Sequence, residues 1–228
     1  MARRVAGVVA DGSGGSFGMG IADKELSRAW DAALHLAWDA ARARTTPVGA
    51  VVVDGAGVII ATGRGRRYEA TVVAGQLAGS HIAHAEVNAL AQLGSQRHWH
   101  NAALLTTLEP CAMCHGAAIQ ASVAGLFFAG RDPYGGTAGV RFGNPQARRR
   151  ELIIDGPLPG ASGALAEMLH IAFLMQRGAS HVVAAQRAAI PQLTCYTERI
   201  SSRLSEALEK DDYQCALGLA ALAPRDGQ

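Results

Sequence analysis

The 228-residue sequence predicts a layered α/β domain followed by a helical C-terminal region. Three observations support this organisation. Short apolar strand patterns alternate with helical patterns between residues 21 and 158, an order that is typical of layered α/β domains. Residues 159–228 show only helical periodicity. The net charge also changes along the chain, from +5 over residues 1–150 to −3 over residues 151–228.

The elements of the predicted α/β domain follow one another closely. Residues 1–20 precede them and are expected to form a flexible tail, because their Gly- and Ser-rich stretch cannot bury a core. A first helix is predicted from apolar residues at three- and four-residue intervals between Trp30 and Ala41. The predicted strands cover residues 48–53, 58–62, 102–107, 123–129 and 152–154, and further helices begin near His84 and Pro110.

The C-terminal region is predicted to be helical throughout. An apolar stripe from Leu165 to Phe173 has helical spacing, and helical segments are also predicted near residues 180–190, 196–210 and 212–222. The acidic balance of this region argues against a basic RNA-binding arm. We therefore expect it to pack on the α/β domain or to act as a lid.

The composition excludes several classes of protein. Apolar residues make up 49% of the chain and charged residues 18%, which argues against global disorder. No run approaches the roughly eighteen apolar residues that a membrane-spanning helix needs, so no membrane partner is expected. Four cysteines in a chain of this length do not form a secreted disulfide framework, and the cytoplasm is the expected compartment.

Two short motifs carry the candidate chemistry, and each opens a predicted helix. Cys111 and Cys114 lie in the first turn of one helix, where both sulfurs can face the same side and the helix N-terminus favours thiolates. His84 supplies a third ligand from another helix. Three protein ligands leave one position of a tetrahedral zinc open, as in catalytic sites, so Zn²⁺ is the expected cofactor. A structural zinc closed by His81 or His115 is the alternative.

Glu86 is the predicted catalytic residue. It lies two residues after His84, which places its carboxylate close to the metal without making it a ligand. Zinc lowers the pKa of a bound water from 15.7 to about 7, and a neighbouring carboxylate can take that proton and pass it to a ring nitrogen or a leaving amine. A purely redox role for the two cysteines would leave both His84 and Glu86 without a function.

Four segments carry a family resemblance: PVGAVVV at 47–53, HAEVNAL at 84–90, TLEPCAMC at 107–114 and AGRDPYGG at 129–136. Over residues 27–143 the sequence resembles the cytidine deaminase-like superfamily, most closely the branch of bacterial tRNA adenosine deaminases and guanine deaminases.

The resemblance implies a three-layer α/β/α fold with a central five-stranded mixed sheet, and it implies homodimers. It also implies one zinc per subunit on His84, Cys111 and Cys114, with Glu86 as the proton shuttle.

Substrate contacts are expected within or beside these segments. Asn88 follows His84 by four residues and is on the same helical side, so it could reach a substrate; satisfying buried backbone is the alternative role. The candidate substrate-binding residues are Asn88, Val48, Gly49, Ala50, Pro110 and Asp132.

Three departures from the family bear on the substrate. The tRNA enzymes usually place an Asn shortly after the second strand, where residues 62–67 of this chain read TGRGRR. The loop at residues 64–80 also differs from theirs, and the C-terminal region exceeds what a minimal tRNA editor carries. The sequence Arg131-Asp132-Pro133, by contrast, resembles the tRNA-deaminase loop.

On balance these features favour a small substrate. The expected activity is zinc-dependent hydrolytic deamination of a nucleobase, a nucleoside or a base analogue such as a triazine, and nucleic acid is a disfavoured partner. Editing of tRNA adenosine to inosine is the first alternative. The second is a catalytically inactive base-binding protein, against which the intact Glu86 argues.

Overall fold

The computed structural model describes residues 21–71, 73–95, 99–149 and 152–224. The predicted flexible tail at 1–20 lies outside them. The strands are β1 (Gly49–Val53), β2 (Ile59–Arg64), β3 (Ala103–Leu108), β4 (Gly125–Gly130) and β5 (Ile153–Asp155). The helices are α1 (Asp23–Arg42), α2 (Ala85–Leu90), α3 (Ala112–Ala121), α4 (Pro145–Arg149), α5 (Gly160–Gln176), α6 (Ser180–Ala189), α7 (Pro191–Arg199), α8 (Ser201–Lys210) and α9 (Tyr213–Ala221).

The five strands form one mixed sheet in the order β2-β1-β3-β4-β5. Strand β1 runs antiparallel to both β2 and β3, whereas β3, β4 and β5 are parallel to one another. Successive side chains of a strand point to opposite faces. Val51 and Val53 accordingly pack with α1, while Ala50 and Val52 pack with α2 and α3. The predicted three-layer α/β/α arrangement with a five-stranded mixed sheet is confirmed.

The C-terminal helices form a cluster built around α5. This helix is buried along most of its length and packs on β4 and α1 on one side and on α7 and α9 on the other. Leu165, Met168 and Leu169, which belong to the predicted apolar stripe, are almost completely buried. The predicted helical C-terminal region is therefore present, and it packs against the sheet. None of the helices in the described ranges is long and apolar enough to cross a bilayer.

Several element boundaries differ from the sequence prediction. The sequence pattern of the helix that begins near His84 predicts a helix as far as Leu93, but α2 ends at Leu90. The short helix α4 is not predicted by the sequence pattern. The predicted segment at 196–210 is two helices, α7 and α8, which meet at Ile200. At this break the Ile200 side chain packs in the C-terminal core, where it is 7% exposed.

Gly63 is the point at which β2 passes closest to α2. A Cβ at this position would lie 2.3 Å from the carbonyl oxygen of Ala85 and 2.5 Å from the amide nitrogen of Ala89. Overpacking of this kind costs about 1–3 kcal/mol. We expect Gly63→Ala to lower the free energy of unfolding by about that amount, measured by denaturant titration, and to displace the helix that carries Glu86.

The matched control is Gly218→Ala in α9, where an added Cβ meets nothing within 4 Å. An exposed helix interior gains about 0.5–1 kcal/mol from this substitution. Equal stability of Gly63→Ala and the wild type would contradict the close packing of β2 against α2.

Candidate active site

The candidate metal ligands lie at the N-termini of two neighbouring helices. His84 is the N-cap residue of α2 and Cys111 the N-cap residue of α3, both with extended backbone, and Cys114 is in the first turn of α3. The two helices pack on the same face of the sheet. Because the positive ends of two helix dipoles meet here, the site favours anionic ligands.

The three donor atoms have the spacing that a zinc ion requires. The Sγ atoms of Cys111 and Cys114 are 3.7 Å apart, and Nδ1 of His84 lies 3.7 and 3.5 Å from them. With Zn–S bonds of about 2.3 Å, tetrahedral geometry puts two sulfurs roughly 3.8 Å apart. Neither His81 nor His115 joins this group, so the described residues offer no fourth protein ligand. A catalytic, open site is favoured over a closed structural one.

The electrostatics of the ligand group also suit a metal. The hydrogen bond between the two sulfurs, assisted by His84, lowers the pKa of Cys111 to about 3. The same bond, together with burial, raises the pKa of Cys114. Hydrogen bonding with Cys111 raises the pKa of His84. Cys111 is therefore the thiol of the pair that loses its proton first, and binding of zinc would displace the proton of Cys114 as well.

His115, which does not join the ligand group, is buried and packs against the loop that follows β4. It is 4% exposed, its Nδ1 is 3.2 Å from Oγ1 of Thr137, and its ring contacts the edge of Phe142. Burial lowers the pKa of this imidazole. It thus anchors the loop that follows β4.

Glu86 is buried beside the ligands. Its side chain is 4% exposed, and Oε1 accepts a hydrogen bond of 3.2 Å from the hydroxyl of Thr106 on β3. Burial raises the pKa of the carboxyl group, while the nearby His84 opposes that shift. A carboxyl group with a raised pKa can hold a proton at neutral pH and release it again, as a proton shuttle must.

A cavity of about 320 Å³ opens onto these residues. Its volume is at the lower end of the range for small-molecule sites. One part of the wall comes from residues just before β1, just after β2 and at the end of β3, together with the ligand helices. Another part comes from the C-terminal helices of the same chain. The residues that α5 and α6 contribute are His170, Leu174 and Val182.

Only some of the candidate substrate-binding residues reach this cavity. Val48 and Asp132 line it. Gly49 and Ala50 are buried within β1 and do not line it, and Pro110 uses its carbonyl oxygen to accept hydrogen bonds from Thr137. Substrate contacts at these positions stay predictions.

Asn88 is fully engaged with protein backbone. Its Oδ1 accepts from the amide of Leu77 at 2.7 Å, and its Nδ2 donates to the carbonyl oxygens of Leu77 and Arg64, both at 3.1 Å. The side chain is completely buried and does not line the cavity. These bonds hold the loop that follows β2 against α2. Asn88 thus satisfies buried backbone groups, which is the alternative role given for it in the sequence analysis.

Glu109 positions the loop that carries Asp132. Its carboxylate accepts from the amide of Asp132 at 3.2 Å and from the amide of Ala138 at 3.0 Å. A Cβ at Gly136 would lie 2.3 Å from the Glu109 carboxyl carbon, so this turn needs glycine. The carboxylate is thereby committed to the loop, which leaves Glu86 as the better candidate for proton transfer.

Sequence reasoning missed the contribution of His170. It lies within the apolar stripe of α5 and is 7% exposed, with Leu169 and Ile171 buried beside it. The only sequence signal is a histidine inside a helix that is otherwise apolar at those positions. Such a histidine is usually a core residue, and only the packing of α5 shows that this one faces a cavity.

The sheet, the paired helix N-termini, the His/Cys/Cys group and the buried carboxylate are the features expected of a zinc-binding deaminase-like domain. Residues 23–129 match the cytidine and deoxycytidylate deaminase zinc-binding region, which confirms the resemblance seen in the sequence. Zn²⁺ is the cofactor of this matched region, whose His/Cys/Cys group can hold the ion.

Curated relatives match parts of the chain. A tRNA-specific adenosine deaminase of Haemophilus influenzae is 37% identical over 113 residues, which cover 48% of this chain and 61% of the relative. A tRNA(Ile)-lysidine synthase of Deinococcus radiodurans is 35% identical over 125 residues, which cover 53% of this chain and 20% of that protein. The match thus spans less than two thirds of each relative.

Solved structures of tRNA deaminases and of guanine deaminases are also similar to this chain. A structure from work on A-to-I editing by tRNA:A34 deaminases is 28% identical, covers 61% of this chain and 99% of that one, and has a TM-score of 0.52. A guanine deaminase from Nitrosomonas europaea is 27% identical, covers 66% and 85%, and has a TM-score of 0.50. These relatives span both of the substrate classes that the sequence left open.

Proposed function

We propose that the protein is a zinc-dependent hydrolytic deaminase of a small nucleobase, nucleoside or base analogue of the guanine, cytosine or triazine type. Ammonia is released from an exocyclic amino group. The observation that carries the proposal is the burial of Glu86 in the same cavity as the His84, Cys111 and Cys114 ligands. A structural zinc site needs no such carboxylate.

Two groups of residues in the site have different roles: one would bind the metal and the other transfers protons. His84, Cys111 and Cys114 hold the metal, which when bound lowers the pKa of a water molecule into the neutral range. The Glu86 carboxylate takes one proton from the attacking water and delivers it to the ring nitrogen. It then takes the second proton, from the hydroxyl group that the water has added to the ring, and delivers it to the departing amine, which leaves as ammonia. The Thr106 hydroxyl holds Oε1 of Glu86 in place during these transfers. Burial raises the pKa of Glu86, which makes its carboxyl group easier to protonate than that of an exposed glutamate.

The walls of the cavity support a small substrate. Helices α5 and α6 contribute part of the wall from the same chain, and the volume of about 320 Å³ suits a base or a nucleoside. Contacts with the domain loops hold these helices in position: Glu167 accepts from the amide and the guanidinium of Arg131. We propose that residues 159–228 act as a lid on the domain at residues 21–158, and that the protein is a cytoplasmic homodimer.

Editing of tRNA adenosine is the second candidate. It is favoured by the Arg131-Asp132-Pro133 loop and by the similarity to tRNA deaminases. It requires an anticodon loop to reach the ligand group past Leu174 and Val182 of the C-terminal helices, which line the cavity. Because these side chains restrict that approach, the small substrate is preferred.

Ammonia release by the zinc-loaded protein discriminates between the candidates. We expect turnover of at least one compound in a panel of free bases, nucleosides and triazines, and none of an anticodon stem-loop bearing adenosine. The Glu86→Gln protein serves as the inactive control. Turnover of the stem-loop alone, with binding that weakens as salt rises, would instead establish tRNA editing. Absence of ammonia from both sets would favour the inactive base-binding protein.

A further inference from the structure

His170 is a buried polar side chain that faces the cavity. It is 7% exposed, lines the cavity, and makes no hydrogen bond with any residue in the described ranges. Burial lowers the pKa of its imidazole, while the charge of Asp132 opposes the shift. Because His170 lines the cavity and makes no hydrogen bond with the described residues, its imidazole is available to a ligand that enters the cavity.

Asp132 lines the same cavity. Its Oδ1 accepts from the amide of Tyr134 at 3.1 Å and from Nε2 of Gln186 at 3.4 Å. No described residue donates to its Oδ2. Gln186 is 1% exposed in α6, so the C-terminal region both supplies His170 and orients the Asp132 carboxylate.

We propose that His170 is a specificity-determining residue which, together with Oδ2 of Asp132, binds the ring N–H edge of a free heteroaromatic base. The proposal rests on the deaminase function given above and names the substrate class of that site. A carboxylate can only accept, so its partner must be a donor, and a neutral imidazole offers one donor and one acceptor to the adjacent ring atoms. A free base carries an N–H at the nitrogen to which a nucleoside attaches its sugar.

The neighbouring wall argues against a sugar. The other residues that the C-terminal helices contribute to the cavity, Leu174 and Val182, are apolar. They offer no partner to ribose hydroxyls, and burying unpaired hydroxyls is unfavourable. The site is therefore expected to discriminate against nucleosides, because a nucleoside lacks the N–H and would place its sugar on the side of the cavity where Leu174 and Val182 lie.

The test compares guanine, cytosine and adenine with their nucleosides as substrates of the wild type, His170→Leu and His170→Asn. We expect the wild type to prefer a free base. His170→Leu should raise KM for that base by about 10- to 100-fold with a much smaller change in kcat, as for loss of a hydrogen bond to the substrate. His170→Asn, which keeps a donor and an acceptor, should recover part of the loss.

Structural damage is controlled in three ways. Zinc content and Tm of His170→Leu should match the wild type, since the variant puts an apolar group in place of a polar group that makes no hydrogen bond with the described residues. His35→Leu, a substitution at an exposed position of α1, should leave KM unchanged. An unchanged KM in His170→Leu, or a wild type that prefers nucleosides, would overturn the proposal.

A binding experiment separates this proposal from the deaminase function. Calorimetry of the zinc-loaded Glu86→Gln protein with the same three bases measures recognition without turnover. One outcome is that the wild type releases no ammonia, while a base binds to Glu86→Gln and not to the Glu86→Gln/His170→Leu double variant. That outcome would support recognition by His170 and contradict deamination. If the wild type and His170→Leu release ammonia with the same KM, deamination is supported and the role of His170 is contradicted. Absence of both binding and turnover would contradict both.

Discussion

Replacing Glu86 with glutamine should lower kcat by about 10²–10⁴-fold, the range over which general acid–base catalysis contributes. Glutamine preserves the shape of the side chain and can still accept the hydrogen bond from Thr106, but it cannot take up or release a proton. Because burial already disfavours the charged carboxylate and raises its pKa, the neutral amide should not lower the Tm. Ammonia release, metal content and thermal unfolding measure the three effects.

The matched control is Glu206→Gln. Glu206 is an exposed residue of α8 that pairs with Lys210, so its loss should leave kcat and zinc content unchanged. Near-normal turnover in Glu86→Gln would remove the proton-shuttle role. Loss of zinc in that variant would instead show that the carboxylate supports the ligand group and not the proton transfers.

The metal ligands could be predicted because local geometry determines them. Cys111 and Cys114 are three residues apart at a helix start, and that spacing alone brings two sulfurs to one side. His84 also begins a helix, and the two helices pack on one sheet face as the strand order requires. Strand β1 could also be predicted, because a strand that is buried on both faces is a continuous run of apolar or small residues.

The rest of the cavity could not be predicted because it depends on packing between distant parts of the chain. His170 reaches the site only when α5 packs on β4. Nothing in the periodicity of α5 distinguishes a residue that faces a cavity from one that faces the core. Asn88 illustrates the same limit: its position relative to His84 fitted a substrate contact, yet its partners are backbone groups of Leu77 and Arg64.

Replacing Cys114 with alanine should reduce bound zinc from about one ion per chain to near zero, because two remaining ligands do not hold zinc tightly. Cys114 is completely buried beside the other two ligands, and the group that could hold a metal among the described residues is His84, Cys111 and Cys114. Activity should be lost with the metal. Mass spectrometry of the native protein and elemental analysis measure the zinc content directly.

The chain provides a matched control in Cys195→Ala. Cys195 is an exposed free thiol in α7, outside the ligand group, and its removal should leave zinc content unchanged. Chelation should destabilise the wild type and Cys195→Ala by about 3–4 kcal/mol if zinc is present at 100 to 1,000 times its Kd. It should not change the unfolding of Cys114→Ala, which has no bound metal to lose.

The Cys114 and Glu86 variants together test whether metal binding and proton transfer are carried out by different residues of the site. Cys114→Ala should lose both zinc and turnover, whereas Glu86→Gln should keep zinc and lose turnover. A Cys114→Ala protein that retains zinc would mean that His84 and Cys111 recruit another ligand, and the open coordination position on which the chemistry depends would then be filled. A Cys114→Ala protein that loses zinc but still releases ammonia would contradict the metal-dependent mechanism itself, whatever the role of Glu86.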